Sequence, residues 1–383
     1  MKLKKRALAA FLTAVLFFSL PAAVSAAASP ADRAMEYYAA SLKGDFEDGS
    51  LSADLWHLAC LSGTGKLADE AFSFLLPVYE SSRLTAETSS AELAKAVLGQ
   101  YLLKKDPRSF EGRNLVSELA ARMQADGTFP STLGPAYPAD NVWSIVALSV
   151  AGEKGSLAPA LENLIASRTA DNGWNSYGGT TGEIDFTGMA MEALALNRSA
   201  EGAEQALAQA VEFLRGCMDE NAFFVGRGQW DTANTCSQAY AIMGLVAAGE
   251  DVQSQAYSRG GKTPVDALLS NQDPDNGGFW YDIAYRETPS DWFPAPDDMS
   301  TYQAIMALCD VSREETVWAA LVKDADPQPM GTTEATEETT AEETLVHNAD
   351  TGVDSGTVYW ILGLVAVMVA VIIITAAISK KKK

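Results

Sequence analysis

Four segments of this chain share one order of residues, and this internal repeat constrains the fold more than any other feature. Each segment has a polar turn, marked by glycine in three of the four, an aromatic residue and then a helix of small apolar residues. The leucines that align in these helices, Leu148, Leu194, Leu245 and Leu308, are separated by 46, 51 and 63 residues. Spacings near these values are typical of arrays of helix pairs whose insertions fall in loops. The sequence therefore predicts repeated helical hairpins.

The two helices of each predicted hairpin differ in character. Apolar residues recur at three- and four-residue steps in segments 111–124, 157–168, 201–218 and 264–271. Such helices have one solvated face. Segments 141–150, 186–196, 236–248 and 300–308 are instead small and apolar nearly all round, which is typical of enclosed helices. Residues 41–124 resemble earlier repeats. We expect an all-α fold, an α/α toroid of about five to six hairpins. An open solenoid is the alternative.

Both ends of the chain have the composition of targeting segments. Residues 1–26 are expected to be a signal peptide, because Lys2, Lys4, Lys5 and Arg6 precede an apolar run that leads to a small-residue cleavage pattern at Val24-Ser25-Ala26. Residues 357–379 are expected to be a C-terminal transmembrane helix, since their apolar run of about 21 residues spans roughly 30 Å. Residues 380–383 are lysines and are expected to form a cytoplasmic basic tail. The expected location is the cell membrane, single-pass, with an extracellular domain.

Residues 324–356 are expected to form a disordered acidic stalk, because this Thr/Glu-rich segment has little apolar surface to bury. Within it, the sequence Asn-Ala-Asp-Thr-Gly ending at Gly352 resembles a degenerate wall-sorting signal of Gram-positive surface proteins, which a sortase cuts after the threonine, here Thr351. Ala349 replaces the usual proline. Membrane anchoring is favoured over cell-wall attachment, which stays an alternative.

The charge of the exported part excludes one class of partner. The whole chain carries −22, but without the cations of the signal peptide and of the basic tail, 20 basic residues stand against 50 acidic ones, which gives −30. A surface of this sign repels phosphate backbones. We therefore expect no nucleic-acid partner.

The segment Asp185-Phe186-Thr187-Gly188-Met189-Ala190-Met191-Glu192-Ala193-Leu194 identifies a family resemblance. It resembles repeats of the prenyltransferase and squalene-cyclase superfamily, in particular an exported bacterial branch similar to the toroid domain of the cobalamin carriers transcobalamin and intrinsic factor. The resemblance covers residues 30–323. It implies an α/α toroid but not one activity, because one fold hosts many functions.

The catalytic motifs of that superfamily are incomplete in this chain. The resemblance to class II terpene (squalene) cyclases, which carry Asp-x-Asp-Asp-Thr, implies Asp185 as the proton donor with Glu183 beside it, but Phe186 replaces the partner carboxyl. The zinc ligands of protein prenyltransferases are also replaced, with Thr187 at the cysteine position and Asn234 at the histidine position. We expect no metal and no cofactor. An enzyme of the cyclase or prenyltransferase type is the alternative to a binding protein.

Aromatic residues in the loops favour binding. Loops that precede inner helices converge at one end of a toroid, where aromatic rings and carboxylates suit a bulky small molecule such as a corrinoid, or a glycan. The residues expected to contact the ligand are Trp143, Tyr177, Asp185, Trp230 and Trp292. The repeated aromatics Phe129, Trp174, Phe223 and Phe279 are instead expected to pack the loops onto the ring. An adhesion module without a small-molecule pocket is a third interpretation.

Four cysteines in an exported chain allow three complete pairings. Cys217 and Cys236 could form a local disulfide. Burial as small apolar residues is equally compatible with the sequence, particularly for Cys60 and Cys309.

Overall fold

The computed structural model describes residues 28–81, 84–85, 88–130, 138–226 and 232–325 of the 383-residue chain. Within these ranges the protein has thirteen α-helices, five short 3₁₀ helices and no β-strand beyond isolated bridges. None of these helices is both long and apolar enough to cross a membrane. The expected signal peptide, stalk and transmembrane segment lie outside the described ranges, apart from the first residues of the stalk.

The helices are labelled in chain order. They are α1 (Pro30–Asp48), α2 (Leu55–Gly63), α3 (Leu75–Ser81), α4 (Ser90–Leu102), α5 (Leu115–Ala120), α6 (Pro138–Val150), α7 (Ala158–Ala166), α8 (Ile184–Ala195), α9 (Ala203–Gly216), α10 (Thr235–Ala248), α11 (Pro264–Leu269), α12 (Asp298–Arg313) and α13 (Val317–Ala325).

Six of these helices form a closed inner ring. Helices α2, α4, α6, α8, α10 and α12 each contact the next one, and α12 returns to contact α2. The ring is closed, so the open solenoid alternative is wrong. The predicted inner helices are confirmed, and their small residues explain the fold, because side chains without bulk let neighbouring backbones approach closely.

An outer layer covers this ring. Helix α9 shows why its residues form such a helix: Ala203, Ala206, Leu207, Ala210 and Leu214 are buried at three- and four-residue steps. Its buried face packs against α8 and α10. Helices α5, α7 and α11 occupy equivalent places, whereas α1 packs against α12, where the chain meets its own beginning.

One hydrogen bond repeats in every hairpin that the sequence identified. The backbone N–H of a buried aromatic residue in the turn donates to a polar side chain in the next inner helix. The pairs are Phe129 with Asn141 at 2.7 Å, and Trp174 with Thr187, Phe224 with Gln238 and Phe279 with Thr301, each at 2.9 Å. The acceptors are 46, 51 and 63 residues apart, the same spacings as the aligned leucines. The predicted repeat is confirmed, with one correction: Phe224, not Phe223, is the equivalent aromatic.

The last described helix does not continue the outer layer. After α12 the chain turns at Glu314, which has a left-handed φ of 56°. Helix α13 then contacts α2, α4 and α6, which follow α12 around the ring. Its Trp318 is fully buried. Helix α13 therefore lies across the end of the ring where α12 ends.

Candidate functional site

The candidate site lies at the opposite end of the ring, where the inner helices begin. Asp185 is in the first turn of α8 and is half-buried. Its carboxyl lies near the hydroxyl of Ser237 in the neighbouring helix α10, close enough for that hydroxyl to lower the pKa of the carboxyl. The Ser237 oxygen in turn accepts a hydrogen bond of 3.0 Å from Asn234 Nδ2, the residue that caps α10. Asp185 therefore interacts with the neighbouring helix α10, and it does not cap its own helix.

The surroundings of Asp185 favour its protonated form. Burial raises the pKa of the Asp185 carboxyl, and the nearby negative charge of Glu183 adds to the rise, while the Ser237 hydroxyl opposes it. Burial also raises the pKa of Asp297 and of Asp298 at the start of α12. These carboxyl groups therefore hold protons at a higher pH than exposed aspartates do.

Asp185, Asp297 and Asp298 form what we call the acidic rim. Asp297 accepts hydrogen bonds from the backbone N–H and the hydroxyl of Ser300, at 2.8 and 2.7 Å. The Ser300 oxygen lies 3.8 Å from the sulfur of Cys236, whose pKa is raised by burial and then by Asp185. Asp298 accepts a 2.7 Å hydrogen bond from Ser41 of α1. The rim therefore runs from α8 across α10 to α12.

An aromatic ledge adjoins the acidic rim. Its members are Tyr281, Tyr285 and Phe293, whose rings are nearly parallel, with ring centres of Tyr281 and Phe293 4.2 Å apart. The pKa of Tyr281 is raised to about 12 by burial and by the neighbouring Cys236 and Asp185. Tyr281 thus links the ledge to the rim. Trp292, the residue before Phe293 in the same loop, is 87% exposed.

The other predicted site residues lie in different environments. Trp143 is buried in the ring interior, edge-on to Trp56 at 5.0 Å between ring centres. Tyr177 is 83% exposed in the loop before α8. Glu183 accepts hydrogen bonds from the backbone and the hydroxyl of Ser176 in that loop, at 3.0 and 2.6 Å. Trp230 lies outside the described residues.

Sequence reasoning found Asp185 but missed Ser237 and the ledge. Ser237 could have been found from its place three residues after Asn234, a spacing at which an N-cap side chain meets the helix. The ledge had no such signal, because Tyr281 and Phe293 are brought together only by the fold of their loop.

The cysteines and the surface clefts contribute little to this site, and the same holds for metal-binding side chains. All four cysteines are buried, and Cys217 and Cys236 do not form a local disulfide. Among the described residues, no group of three His, Cys, Asp or Glu side chains could hold a metal. Two clefts of about 590 and 460 Å³ lie near α7 and α9, and no residue of the rim or the ledge lines them.

Solved structures with a similar fold are terpene cyclases and prenyltransferases. A type II terpene cyclase, MstE from Scytonema, is 14% identical with a TM-score of 0.54, over 74% of this chain and 97% of that one. Protein geranylgeranyltransferase-I from Candida albicans, solved with GGPP, is 15% identical with a TM-score of 0.50, over 66% of this chain and 82% of that one. No protein-family model and no curated protein matches the sequence significantly. The predicted resemblance to the terpenoid cyclase-like α/α toroid is confirmed, and at these identities it is a likeness of fold alone.

Proposed function

We propose that the protein is an extracellular ligand-binding protein anchored in the cell membrane. Its ligand is a bulky small molecule with flat rings, such as a corrinoid, or a glycan. The observation that carries this proposal is the aromatic ledge beside the acidic rim. Stacked rings offer a flat apolar face, and the carboxyl groups beside it offer hydrogen-bond partners, which is the composition of a small-molecule or sugar site.

Ligand identity is tested with the full chain solubilised from membranes. Small molecules that co-purify are identified by mass spectrometry and by visible absorbance, and melting temperatures are measured with cyanocobalamin and with a panel of oligosaccharides. We expect one class to raise the melting temperature. If no small molecule co-purifies with the chain and no compound of the panel raises its melting temperature, the proposal is contradicted and the adhesion interpretation is favoured.

The site is tested by removing the exposed ring of Trp292 and the half-buried ring of Phe293. Trp292→Ala and Phe293→Ala are expected to weaken binding about tenfold each, because each removes a stacking surface. Leu76→Ala is the matched control, since Leu76 is an exposed apolar residue of α3, outside the ledge and the rim. Equal weakening by all three variants would mean that the ledge has no special role.

The location is a separate part of the proposal. It rests on the sequence of the two ends of the chain, which predicts export and a single membrane span. Protease added to intact cells is expected to remove residues 30–323 and to leave a short membrane fragment. Protection of the toroid from protease in intact cells would contradict the extracellular location. The alternative of cell-wall attachment through Thr351 is tested by mass analysis of a cell-wall digest.

A second candidate function is favoured by one observation, the Ser237 hydroxyl that is hydrogen-bonded to Asn234 and lies near the Asp185 carboxyl. A carboxyl group whose pKa is raised by burial can donate a proton, and a polar side chain near it can help to orient it. This is the requirement for a class II terpene cyclase-like acid. The partner carboxyl of that family is replaced by Phe186, which is buried.

Incubation of the full chain with squalene and with shorter polyprenyl substrates separates the two candidates. A cyclised product that disappears in Asp185→Asn would establish catalysis and displace the binding proposal. Glu183→Gln is the comparison, because its carboxylate is bound to the loop at Ser176 and is expected to affect activity less. Absence of product in the wild-type chain leaves the binding proposal as the conclusion.

A further inference from the structure

Buried polar atoms without partners are concentrated inside the ring. In the described part of the chain, seven buried side-chain nitrogen or oxygen atoms make no hydrogen bond. Six of them belong to inner helices or to α13: His57 Nδ1, Ser144 Oγ, Glu192 Oε1, Gln303 Oε1, Asp310 Oδ2 and Trp318 Nε1. Such atoms are rare in folded proteins, and each one calls for an explanation such as water or a ligand. The ring interior therefore has unused capacity for hydrogen bonding.

Three of these residues meet where α13 closes the ring. Glu192 and Asp310 are in the last turns of α8 and α12, and both are almost fully buried. Burial raises the pKa of each carboxyl well above its ordinary value, and the charge of Asp310 raises that of Glu192 further. Asp310 Oδ1 accepts a 3.0 Å hydrogen bond from the N–H of Val317. Asp310 Oδ2 and Glu192 Oε1 are left without donors.

Trp318 packs against two tryptophans of the inner helices and lies near Glu192. Its ring centre lies 5.8 Å from that of Trp143 and 6.4 Å from that of Trp56, edge-on to both. Its indole N–H is near enough to the Glu192 carboxyl to lower the pKa of that group, yet it makes no hydrogen bond of normal geometry. We call the space bounded by Trp56, Trp143, Glu192 and Asp310 the axial chamber.

Helix α13 is held in place by fewer interactions than the ring helices are, although its Trp318 is buried and its Val317 N–H is bonded to Asp310. It has nine residues, and its well-buried apolar side chains are Val317, Trp318 and Leu321. At its exposed edge, Lys104 pairs with Asp324 at 2.7 Å, and Lys323 pairs with Glu315. Exposed ion pairs contribute little, and a short helix is not stable alone. Local opening of α13 is therefore much less costly than opening of the ring.

We propose that the axial chamber is a second ligand site, that α13 covers it, and that Trp318 occupies it in place of the ligand. The resident side chain indicates the chemical class of that ligand: a flat aromatic ring whose N–H groups face Glu192 and Asp310. The ligand and the Trp318 side chain cannot occupy the axial chamber at the same time, so ligand binding displaces α13. The proposal goes beyond the rim and the ledge, which lie at the other end of the ring and are tested by other residues.

The first experiment uses Trp318→Ala in the full chain, with indole as the probe and indene as its counterpart without the N–H. We expect indole to bind the variant and raise its melting temperature, with about tenfold or greater preference over indene, because the N–H finds a buried acceptor. The double variant Trp318→Ala with Glu192→Met is expected to lose that preference. A folded Trp318→Ala chain that binds neither probe, or binds both equally, overturns the proposal.

The second experiment needs no variant and separates a covering helix from a permanent part of the core. Amide hydrogen exchange is measured on the wild-type chain with and without indole. We expect the amides of residues 317–325 to exchange at least about 100-fold faster than those of α12, through local opening, and indole to accelerate them further. Exchange of both helices at one common rate, or no effect of indole on α13, overturns the proposal.

Discussion

At the scale of single residues, each hairpin turn places one residue in the left-handed backbone region. These residues are Gly127, Asn172, Ala222 and Gly277, with φ between 65° and 83°. Only at glycine is this conformation free of a side-chain penalty. At Gly127 there is a second requirement, because an added Cβ would lie 2.1 Å from the carbonyl oxygen of Pro159 at the start of α7. The turn and the next outer helix thus touch through backbone alone.

Gly127→Ala is therefore expected to lower the free energy of unfolding by about 2–4 kcal/mol, from the left-handed strain together with the clash. Gly112→Ala is the matched control: its φ is 79°, and nothing lies within 4 Å of the added Cβ. It is expected to cost about 1 kcal/mol. Urea unfolding followed by circular dichroism measures both, and equal losses would show that contact with Pro159 is unimportant.

The same turns show how far single residues can be predicted. The sequence predicted that Phe129, Trp174 and Phe279 pack the loops onto the ring, and all three are buried. At the third turn it predicted Phe223, although Phe224 occupies the equivalent place. Two adjacent phenylalanines are indistinguishable by composition, and the choice is made by the hydrogen bond from the Phe224 N–H to Gln238. That contact spans the whole loop and is not visible in a local pattern.

At the scale of whole elements, α8 and α10 are in backbone contact. An added Cβ on Gly188 would lie 2.2 Å from the carbonyl oxygen of Tyr240, and one on Gly244 would lie 2.7 Å from the Cα of Gly188. The two glycines face each other and set the distance between these helices. Asp185 and Ser237 are on the same pair of helices, so the crossing also positions the rim.

Gly188→Ala is expected to destabilise the protein by about 2–4 kcal/mol and to move Asp185 away from Ser237, because the helices must separate. In Gly99→Ala, the matched change in inner helix α4, the new Cβ lies 3.6 Å from Leu58 Cδ1, an ordinary contact. Alanine there is expected to stabilise by up to about 1 kcal/mol through helix propensity. Thermal unfolding compares the two variants, and a shift of the same sign in both would contradict the argument.

Thr301 connects a hairpin turn to an inner helix and gives a third prediction. Its hydroxyl accepts the N–H of Phe279, and both residues are fully buried. Thr301→Val keeps the shape but leaves that N–H without a partner, so a loss of about 1–3 kcal/mol of unfolding free energy is expected. Thr288→Val, at an exposed loop position, is expected to change stability by less than about 0.5 kcal/mol. Chemical denaturation measures both, and similar values would contradict the role of this hydrogen bond.

The elements differ in how well the sequence predicted them. The inner helices and four outer helices followed from their periodicity, because burial on all sides and burial on one side leave different patterns. The position of α13 did not follow. Its apolar residues fit an outer helix equally well, and its partners Trp56, Trp143 and Glu192 come from three distant segments. Only closure of the ring brings these partners together.

At the scale of the whole molecule, a strongly acidic protein encloses two of its carboxyl groups at the end of the ring that α13 covers. The chain has 50 acidic residues, and most can stay hydrated, whereas Glu192 and Asp310 cannot. Burial raises the pKa of both groups, so the folded state binds protons that the unfolded state releases. The stability that depends on these protons is complete below the unfolded pKa of about 4 and is lost as the pH rises toward the folded value.

Glu192→Gln keeps the size of the side chain and removes its titration. The free energy of unfolding of the wild type is expected to fall relative to that of the variant as the pH rises above about 4, by at most about 1.4 kcal/mol per pH unit for the one group. Repulsion among surface carboxylates also lowers stability with rising pH, but it acts on both proteins and cancels in the difference. The difference is measured by urea unfolding at pH 5, 6, 7 and 8.

Glu204→Gln supplies the control, because Glu204 is an exposed carboxylate of α9 that pairs with Arg198. Its difference from the wild type is expected to stay nearly constant over the same range, since exposed ion pairs contribute little. A Glu192→Gln difference that is equally flat would mean that Glu192 titrates as a hydrated group. The ring would then be open to water beneath α13, and the free oxygen of Glu192 would be satisfied by solvent, leaving no dry chamber for a ligand.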